Sequence, residues 1–530
     1  MLRRYRTGLK ASMTIYVALM LITVVSLVLV MLESARIYLA RKDVTVYSNL
    51  AVESQCAEYQ PFLYDNFRFL ALDAGLNGKF SETRVENTIY DYMSEEVNGN
   101  SEHSLFKLLP GYADVKDYEL MTDDSGIPFV KELRSYVGKE LTESTLQGLK
   151  DKYESMDVKT DEENYYNGSQ KDSVDIAVEY IEAAEEAERA AADEAEETEE
   201  TTEQANPESE DNNSGGIKRE IRRMANQQDN SSLSTVLKKI SGLDEAGLLA
   251  LMTDNPESIS KLQLKEEDCI EKRKLNIGTK KDCGDEAIYD RAILTYFCSK
   301  NLDCYTDTIG GDNTSDNKAI QYEMEYVACT KYSDEENLKR VLLCIFAERE
   351  AVNACYLATA KAKQEEALAA ATAITLILGS PEAATAVQAG ILSAWCTAES
   401  LREVRALTAG KKVEIVKSDE TWNTTFSEIG TSFFTLNTVK ETENGLSYKD
   451  FLCAGIILGD ITHTTYRMLD VIERRMEASG FEYARMDNMM TSFTCECSYT
   501  APTVFFNLMP LDFSNPGYYD MKETICFKYY

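Results

Sequence analysis

Two histidines, His103 and His463, are all that this chain of 530 residues offers to imidazole chemistry. His463 falls one turn from Asp460 and from Arg467, a spacing that suits a structural salt-bridge cluster on a helix better than proton transfer. The sequence holds no His-Glu-x-x-His zinc pair, no Gly-x-Ser-x-Gly nucleophile turn and no Gly-x-x-x-x-Gly-Lys-Ser/Thr phosphate loop. Paired carboxylates are uninformative here, because among 90 acidic residues some pair always has a suitable spacing. Trp395 and Glu399 share a helix face, read as packing plus a surface charge. The expectation is a protein that is not an enzyme, with no catalytic, cofactor-binding or metal-ligating residues, no cofactor and no small-molecule substrate.

Thirteen cysteines are the other reactive stock, and an odd number leaves at least one unpaired within the chain. Outside the cell, Cys269 with Cys283 and Cys298 with Cys304 could form disulfides. The competing reading is free, small, apolar thiols, especially for Cys344 and Cys355 within a helix. Cys495 and Cys497 would share one face of a strand, where a disulfide is not the expected geometry. Zinc would need two further ligands, and no second Cys-x-x-Cys or histidine cluster supplies them. Structural thiols are the expectation.

The element that positions everything else is at the amino end. Residues Ala11–Leu32 form an uncharged run of 22 between Lys10 and Glu33. At about 1.5 Å per residue this run spans the roughly 30 Å hydrocarbon core of a bilayer. A cleaved signal peptide would have a shorter apolar core and a small-x-small site, whereas here Glu33 stands at the first small position before Ala35. Arg3, Arg4, Arg6 and Lys10 precede the run, against Arg36, Arg41 and Lys42 after it. The short basic tail, residues 1–10, is therefore placed in the cytoplasm and the large carboxyl-terminal part outside the cell membrane. Leu9 to Gln60 contains neither Gly nor Pro, so the membrane helix is predicted to continue to near Pro61. Beyond the bilayer, Leu39, Val46, Leu50 and Ala57 recur as an apolar stripe that the domain or a neighbour must cover.

A net charge of −35 excludes nucleic acid as a partner and argues against docking to anionic lipid. Glu179 to Asp211 concentrates fifteen acidic residues against one base, Arg189. Together with the Asn206-Pro207 step and the run 211–216, it marks 161–230 as an acidic, low-complexity, disordered insertion, dispensable for folding. It divides the extracytoplasmic domain into an amino-terminal part, 33–160, and a carboxyl-terminal part, 231–530. Calcium binding there is disfavoured, since no alternating Asp/Asn loop with a central Gly is present.

The remaining pattern is α+β, helix-dominated with a small β-sheet. Tyr112–Met121 and Ser492–Asn507 alternate as strands, and Asp123 to Gly126 reads as a turn. Pro128 opens a helix to about Met156, and Ser232–Leu251 and Ala287–Cys298 read as short helices. Ser333 with Glu336 makes a capping box for a helix that reaches Leu378. Ser380-Pro381 starts another, which Gly410 ends, and Lys412–Val416 reads as a short strand. Ser447 with Asp450 starts a third, predicted to reach Gly480.

Four blocks together resemble a family of single-pass envelope proteins of Gram-positive bacteria, a domain-of-unknown-function family encoded beside Tad-type pilus genes. They are LESARIYLARKDVTVYSNLAVESQCAEYQPFLYDNFRFLALD (Leu32–Asp73), AWCTAESLREVRALTAGKKVEIVK (Ala394–Lys417), LSYKDFLCAGIILGDITHTTYRMLDVIERRM (Leu446–Met476) and CSYTAPTVFF (Cys497–Phe506). The anchor also resembles that of TadE/TadG-type minor pilins, whose span closes with a Glu followed by an Arg, as Glu33 and Arg36 do here. It departs from a cleaved pilin in having Met13 where a mature Glu would follow Gly8. The resemblance implies an uncleaved structural or assembly component of a Tad-like pilus or secretion apparatus. Its partners would be the membrane and pilin-like or Tad-type proteins met through the amino-terminal helix. The alternative is a stand-alone extracytoplasmic binding or sensing module.

Overall fold

A computed structural model of the chain describes residues 5–99, 107–154, 174–187, 190, 251–253, 256–281, 283–284, 289–307, 318–329, 331–429, 445–505 and 517–530. The protein is α+β, with long helices and a small sheet. It divides into two compact units that do not follow chain order. The first joins Met1–Glu143, Ile270–Leu294 and Thr465–Tyr530; the second joins Ser144–Cys269 and Thr295–Thr464.

In the first unit the absence of Gly and Pro between Leu9 and Gln60 lets one helix, α1 (Tyr5–Ala57), run for 53 residues. It is the one helix among the described residues long and apolar enough to cross a membrane, and none of its most apolar stretch is buried by the other described residues. Past that stretch the helix turns one face inward. Ala40, Val44, Ala51, Val52 and Cys56 are buried against the sheet and against α2 (Glu82–Gly99), which contributes Val85, Ile89 and Met93. The stripe singled out from periodicity is the other one: Leu39 is 48% exposed, Val46 58% and Leu50 39%. Ala40, Ala51 and Cys56 let the sheet approach α1 closely, and Ile37 and Tyr47 pack at the margin of the same face.

The sheet is antiparallel. Its centre is the long strand Met489–Pro502, which pairs along one edge with β2 (Leu109–Leu120) and along the other with Tyr518–Lys528; the short β1 (Leu72–Asp73) pairs with its start. In chain order the two later strands are β3 (Met489–Pro502) and β4 (Tyr518–Lys528). Phe493, Cys495, Cys497, Tyr499 and Ala501 alternate along β3 onto the face shared with α1 and α2, the period of two expected of a half-buried strand.

Just past β3, the chain is fastened to α1. Arg36 pairs with Glu33 one turn earlier at 2.7 Å and donates to the Pro502 carbonyl at 2.6 Å. Glu33 in turn accepts from the backbone N–H of Val504 at 3.4 Å and of Phe505 at 2.8 Å. Both side chains are buried. The segment from Ile270 is held in the same unit by carboxylates. Arg273 lies between Glu473 (2.5 Å) and Asp487 (2.7 Å), and Lys280 meets Glu119 at 2.5 Å. Asp470 accepts from the Ile270 amide. A tight reversal precedes α3 (Ile127–Glu140), with Asp124, Ser125 and Gly126 all at positive φ.

The second unit is helical. Residues 174–187, inside the acidic stretch expected to be unstructured, form a helix that buries Val174, Ala177, Val178, Ile181 and Ala184. Their i, i+3, i+4, i+7 spacing gives an apolar face that the local charge density hides from a composition argument. The rest of 161–230 lies outside the described residues except 190, as does the expected helix from Ser232 up to residue 250. The helix from Ser333 is two: α4 (Asp334–Thr359), capped by the Ser333 hydroxyl, and α5 (Lys361–Ile377), with Ala360 between them at ψ 85°. The break is stabilised by Gln364, whose amide donates to the Leu357 and Ala358 carbonyls left without helical partners. Next comes α6 (Ala384–Thr408), closed near Gly410 at φ 81°.

Lys412–Val416 is not a strand; it makes one bridge, Val413 to Leu446, because Ile415 and Val416 face solvent and have no sheet to join. The Ser447–Asp450 capping box starts α7 (Tyr448–Leu458), which stops at Gly459. Asp460 then starts the helix Ile461–Ala478, its carboxylate accepting from the N–H of Thr462 and His463. The helix from Pro128 is likewise broken, at Leu141, before Glu143–Glu154. The expected helix Ala287–Cys298 is found at Asp290–Asn301.

Gly126 has little freedom, since its φ of +82° disfavours any side chain and a Cβ would run into the Thr465 methyl. Gly126→Ala should lower stability by about 1–3 kcal/mol, read as a lower urea midpoint with an unchanged m-value.

Candidate functional site

The densest collection of buried charge outside the first unit lies on α4, α6 and the segment 417–424. On α4 the apolar stripe Leu338, Leu342, Ile345 is continued by Arg349 and Asn353 before returning to Leu357, so two polar side chains occupy core positions of an otherwise apolar face. On α6 Trp395, Glu399, Ser400, Arg402 and Glu403 are buried on consecutive turns. Arg349 grips Glu403 with both arms of its guanidinium, at 2.8 and 3.1 Å. Asn353 donates to Glu403 at 3.0 Å and to the Ser400 hydroxyl at 2.9 Å. The Lys417 ammonium sits between Glu399 (2.6 Å) and Glu403 (2.5 Å).

Glu399 is completely buried, not the surface charge expected of it. Besides Lys417, its carboxylate accepts from the backbone and side-chain nitrogens of Asn423, both at 3.1 Å. It also accepts from the Thr424 amide at 2.8 Å and the Thr424 hydroxyl at 2.6 Å. The segment 417–424 is thus folded around one carboxylate, which substitutes for the secondary structure it lacks. Two cations face two anions, and each is hydrogen-bonded, the condition under which buried charge is tolerated.

The carboxyls separate by surroundings. Burial raises the affinity of Glu403 for a proton, but Arg349 and Lys417 more than compensate and hold it below the usual range. Glu350, one residue along α4, is buried with only the Thr397 hydroxyl to support it at 2.7 Å, and burial pushes it up to about 7. Glu325, buried in the same unit, is also pushed up to about 7 by burial, its hydrogen bonds to Tyr305 N–H and Tyr448 offsetting only part of the cost.

Beside the charges is an aromatic group. Trp395 and Trp422 stand edge to face with centroids 6.0 Å apart, and Tyr356 stacks on Trp422 at 5.0 Å. Both indole N–H groups donate to the Thr424 carbonyl, at 2.9 and 2.7 Å.

The residues singled out for chemistry do not converge here. His103 lies outside the described residues. Asp460 caps its helix, accepting from the N–H of His463, and Arg467 reaches Glu271 at 3.6 Å. None of the thirteen cysteines is in a disulfide, and all but Cys344, Cys355 and Cys526 are buried. Cys495 and Cys497 share a strand face as expected, with sulfurs 3.7 Å apart. Among the described residues no three His, Cys, Asp or Glu side chains group as metal ligands.

A helix-dominated α+β protein with one candidate membrane-spanning helix is the class that this geometry defines. A family model described as a family of unknown function, DUF5702, matches residues 226–501, and the chain belongs to that family. The match takes in α4, α6 and the segment 417–424, and so the whole charge network. No curated protein and no solved structure matches the chain.

Removing one member of the network strands its partners. Lys417→Met should cost about 3–5 kcal/mol in a urea melt, and adding Glu399→Gln should recover part of that loss. Glu350 generates a pH effect of definite sign. Its folded pKa is raised, so the folded state holds the proton after the unfolded chain has released it. Stability from this group is complete below about pH 4.5 and is lost as pH rises to about 7. The wild-type minus Glu350→Gln difference in unfolding free energy should fall across that window with a slope approaching about 1.4 kcal/mol per pH unit.

Proposed function

We propose that this chain is a non-enzymatic, single-pass membrane protein, amino terminus in the cytoplasm and domain outside. Its role is that of a structural or assembly component of a Tad-like pilus or secretion apparatus. The observation that carries the reading is the two-faced continuation of α1. One face is buried in the protein's own core, while Leu39, Val46 and Leu50 remain exposed on the other, in line with the uncovered apolar stretch below them. Tyr38, 62% exposed, stands beside this stripe. An apolar strip that leaves the bilayer uncovered favours the helix of a neighbouring membrane-anchored subunit as its cover.

The likeness of Glu33 and Arg36 to the closing residues of TadE/TadG-type anchors supports a Tad-type neighbour. Support for a non-enzymatic role comes from the buried network. The acceptor positions of Glu399 and Glu403 are filled by the chain's own donors, which leaves neither poised as a base toward a substrate.

Because the stripe is exposed, Leu39→Asp with Val46→Asp should change folding stability by no more than about 0.5 kcal/mol per site. Ala40→Asp, on the buried face, should destabilise strongly. A photoreactive side chain at position 39 or 46 should crosslink, in native membranes, to pilin-like or Tad-type proteins identified by mass spectrometry, and the double Asp variant should abolish their co-purification. Crosslinks to lipid alone, or unfolding of the double variant, would refute the assembly surface.

A further inference from the structure

The aromatic group beside the charge network already holds a cation. Lys363, in the first turn of α5, places its ammonium 4.4 Å from the centroid of Trp395 and 5.2 Å from that of Trp422. Among the described residues it has neither an ion pair nor a hydrogen bond, so the indole faces are what hold it. Tyr356 stacks on Trp422 and braces it, with its own hydroxyl fixed by Asp419. The rings cannot easily turn away, because both indole N–H groups are tied to the one carbonyl of Thr424. The carboxylates of Glu366, Glu399 and Asp419 make the local potential favourable to a positive charge.

A primary ammonium fits such a box poorly. It brings three N–H donors that aromatic faces satisfy only weakly, and it is strongly hydrated, so partial burial costs it more than it would cost an ion without donors. Burial correspondingly lowers the affinity of Lys363 for its proton. A quaternary ammonium has no donor to satisfy, sheds water readily and presents methyl groups to the rings, which is how aromatic cages recognise it. Lys363 is only half-buried and is carried on a flexible stem, so it can swing out to solvent without moving α5.

We propose that the indole faces of Trp395 and Trp422, with Tyr356 bracing Trp422, form a binding site for a quaternary ammonium headgroup of the choline type, and that Lys363 occupies it as a built-in competitor. The site is independent of the exposed face of α1. It would serve an assembly component or a stand-alone binding module equally, so its failure leaves the assembly reading untouched.

The two tryptophans of the site are the only two in the chain, so intrinsic fluorescence reports on it directly. The test is a titration of the full chain, in a maltoside detergent, with choline chloride against sodium chloride at constant ionic strength. Lys363→Ala should show a saturable change specific to choline, with a half-saturation at least about tenfold below that of the wild type, because the competing occupant is gone. Lys363→Arg should behave as the wild type. Adding Tyr356→Leu to Lys363→Ala, which keeps both fluorophores, should weaken the response. A folded Lys363→Ala protein whose response to choline matches that to sodium would overturn the proposal. Lys363→Gln guards against a folding defect in the shorter variant. If both unfold, Lys363 is a permanent cap on the aromatic core and the proposal fails.

Discussion

Glu33 and Arg36 stand one turn apart where the apolar run of α1 ends, and they bind each other and the chain just beyond β3. A buried ion pair at that point needs further hydrogen bonds, and the Pro502 carbonyl and the Val504 and Phe505 amides contribute them. The rest of the first unit depends on this clasp and on the small side chains that follow it. With the end of β3 fixed to Arg36, alternation along the strand directs Phe493, Cys495, Cys497 and Tyr499 toward Ala40, Val44 and Ala51. The sheet is then built outward from β3, with β2 and β4 on its two edges.

The second unit uses buried charge differently. Glu399 organises a segment with almost no secondary structure by collecting donors from Lys417, Asn423 and Thr424. An apolar side chain there could fill the space but could not satisfy those backbone amides. The cost of burying the carboxylate is offset locally, and what is gained is a defined path for residues 417–424 and a rigid seat for Trp422. Glu350 and Glu325 lack a cationic partner of this kind, and their raised proton affinities show what burial does when no such partner is near.

Much of the fold was legible from spacing. The uninterrupted helix from the membrane run, the strands around Tyr112 and Ser492, the caps at Ser333 and Ser447 and the glycine stop at Gly410 all follow from local rules. What stayed hidden was tertiary. The breaks at Ala360 and Gly459 depend on a side chain taking over orphaned backbone groups, Gln364 in one case and Asp460 in the other, and no hydrophobic period registers that. Which apolar face of α1 the domain covers was not legible, because Val44 and Val52 on the buried face and Leu39 and Val46 on the exposed one are alike in type and period, and only the position of the sheet separates them. The charge network did leave a trace, Arg349 and Asn353 at positions of an apolar stripe, but a Glu on α6 looks the same whether it meets solvent or Lys417. The helix at 174–187 was masked by the acidic residues between its apolar positions.

The unbroken length of α1 makes it a lever. From Glu33 to Ala57 the helix extends about 37 Å beyond the apolar run, at about 1.5 Å per residue. No glycine or proline hinge interrupts that arm, so the first unit, clasped to it, has no such hinge between itself and the apolar run. A change in tilt of about 10°, well within the range such spans adopt, would carry its far end sideways by about 6 Å. Rolling the helix about its own axis would turn Leu39, Val46 and Leu50 toward or away from a neighbour by the same angle. In a bilayer, thickness and lateral crowding would thereby set the pose of the first unit, which the arm carries.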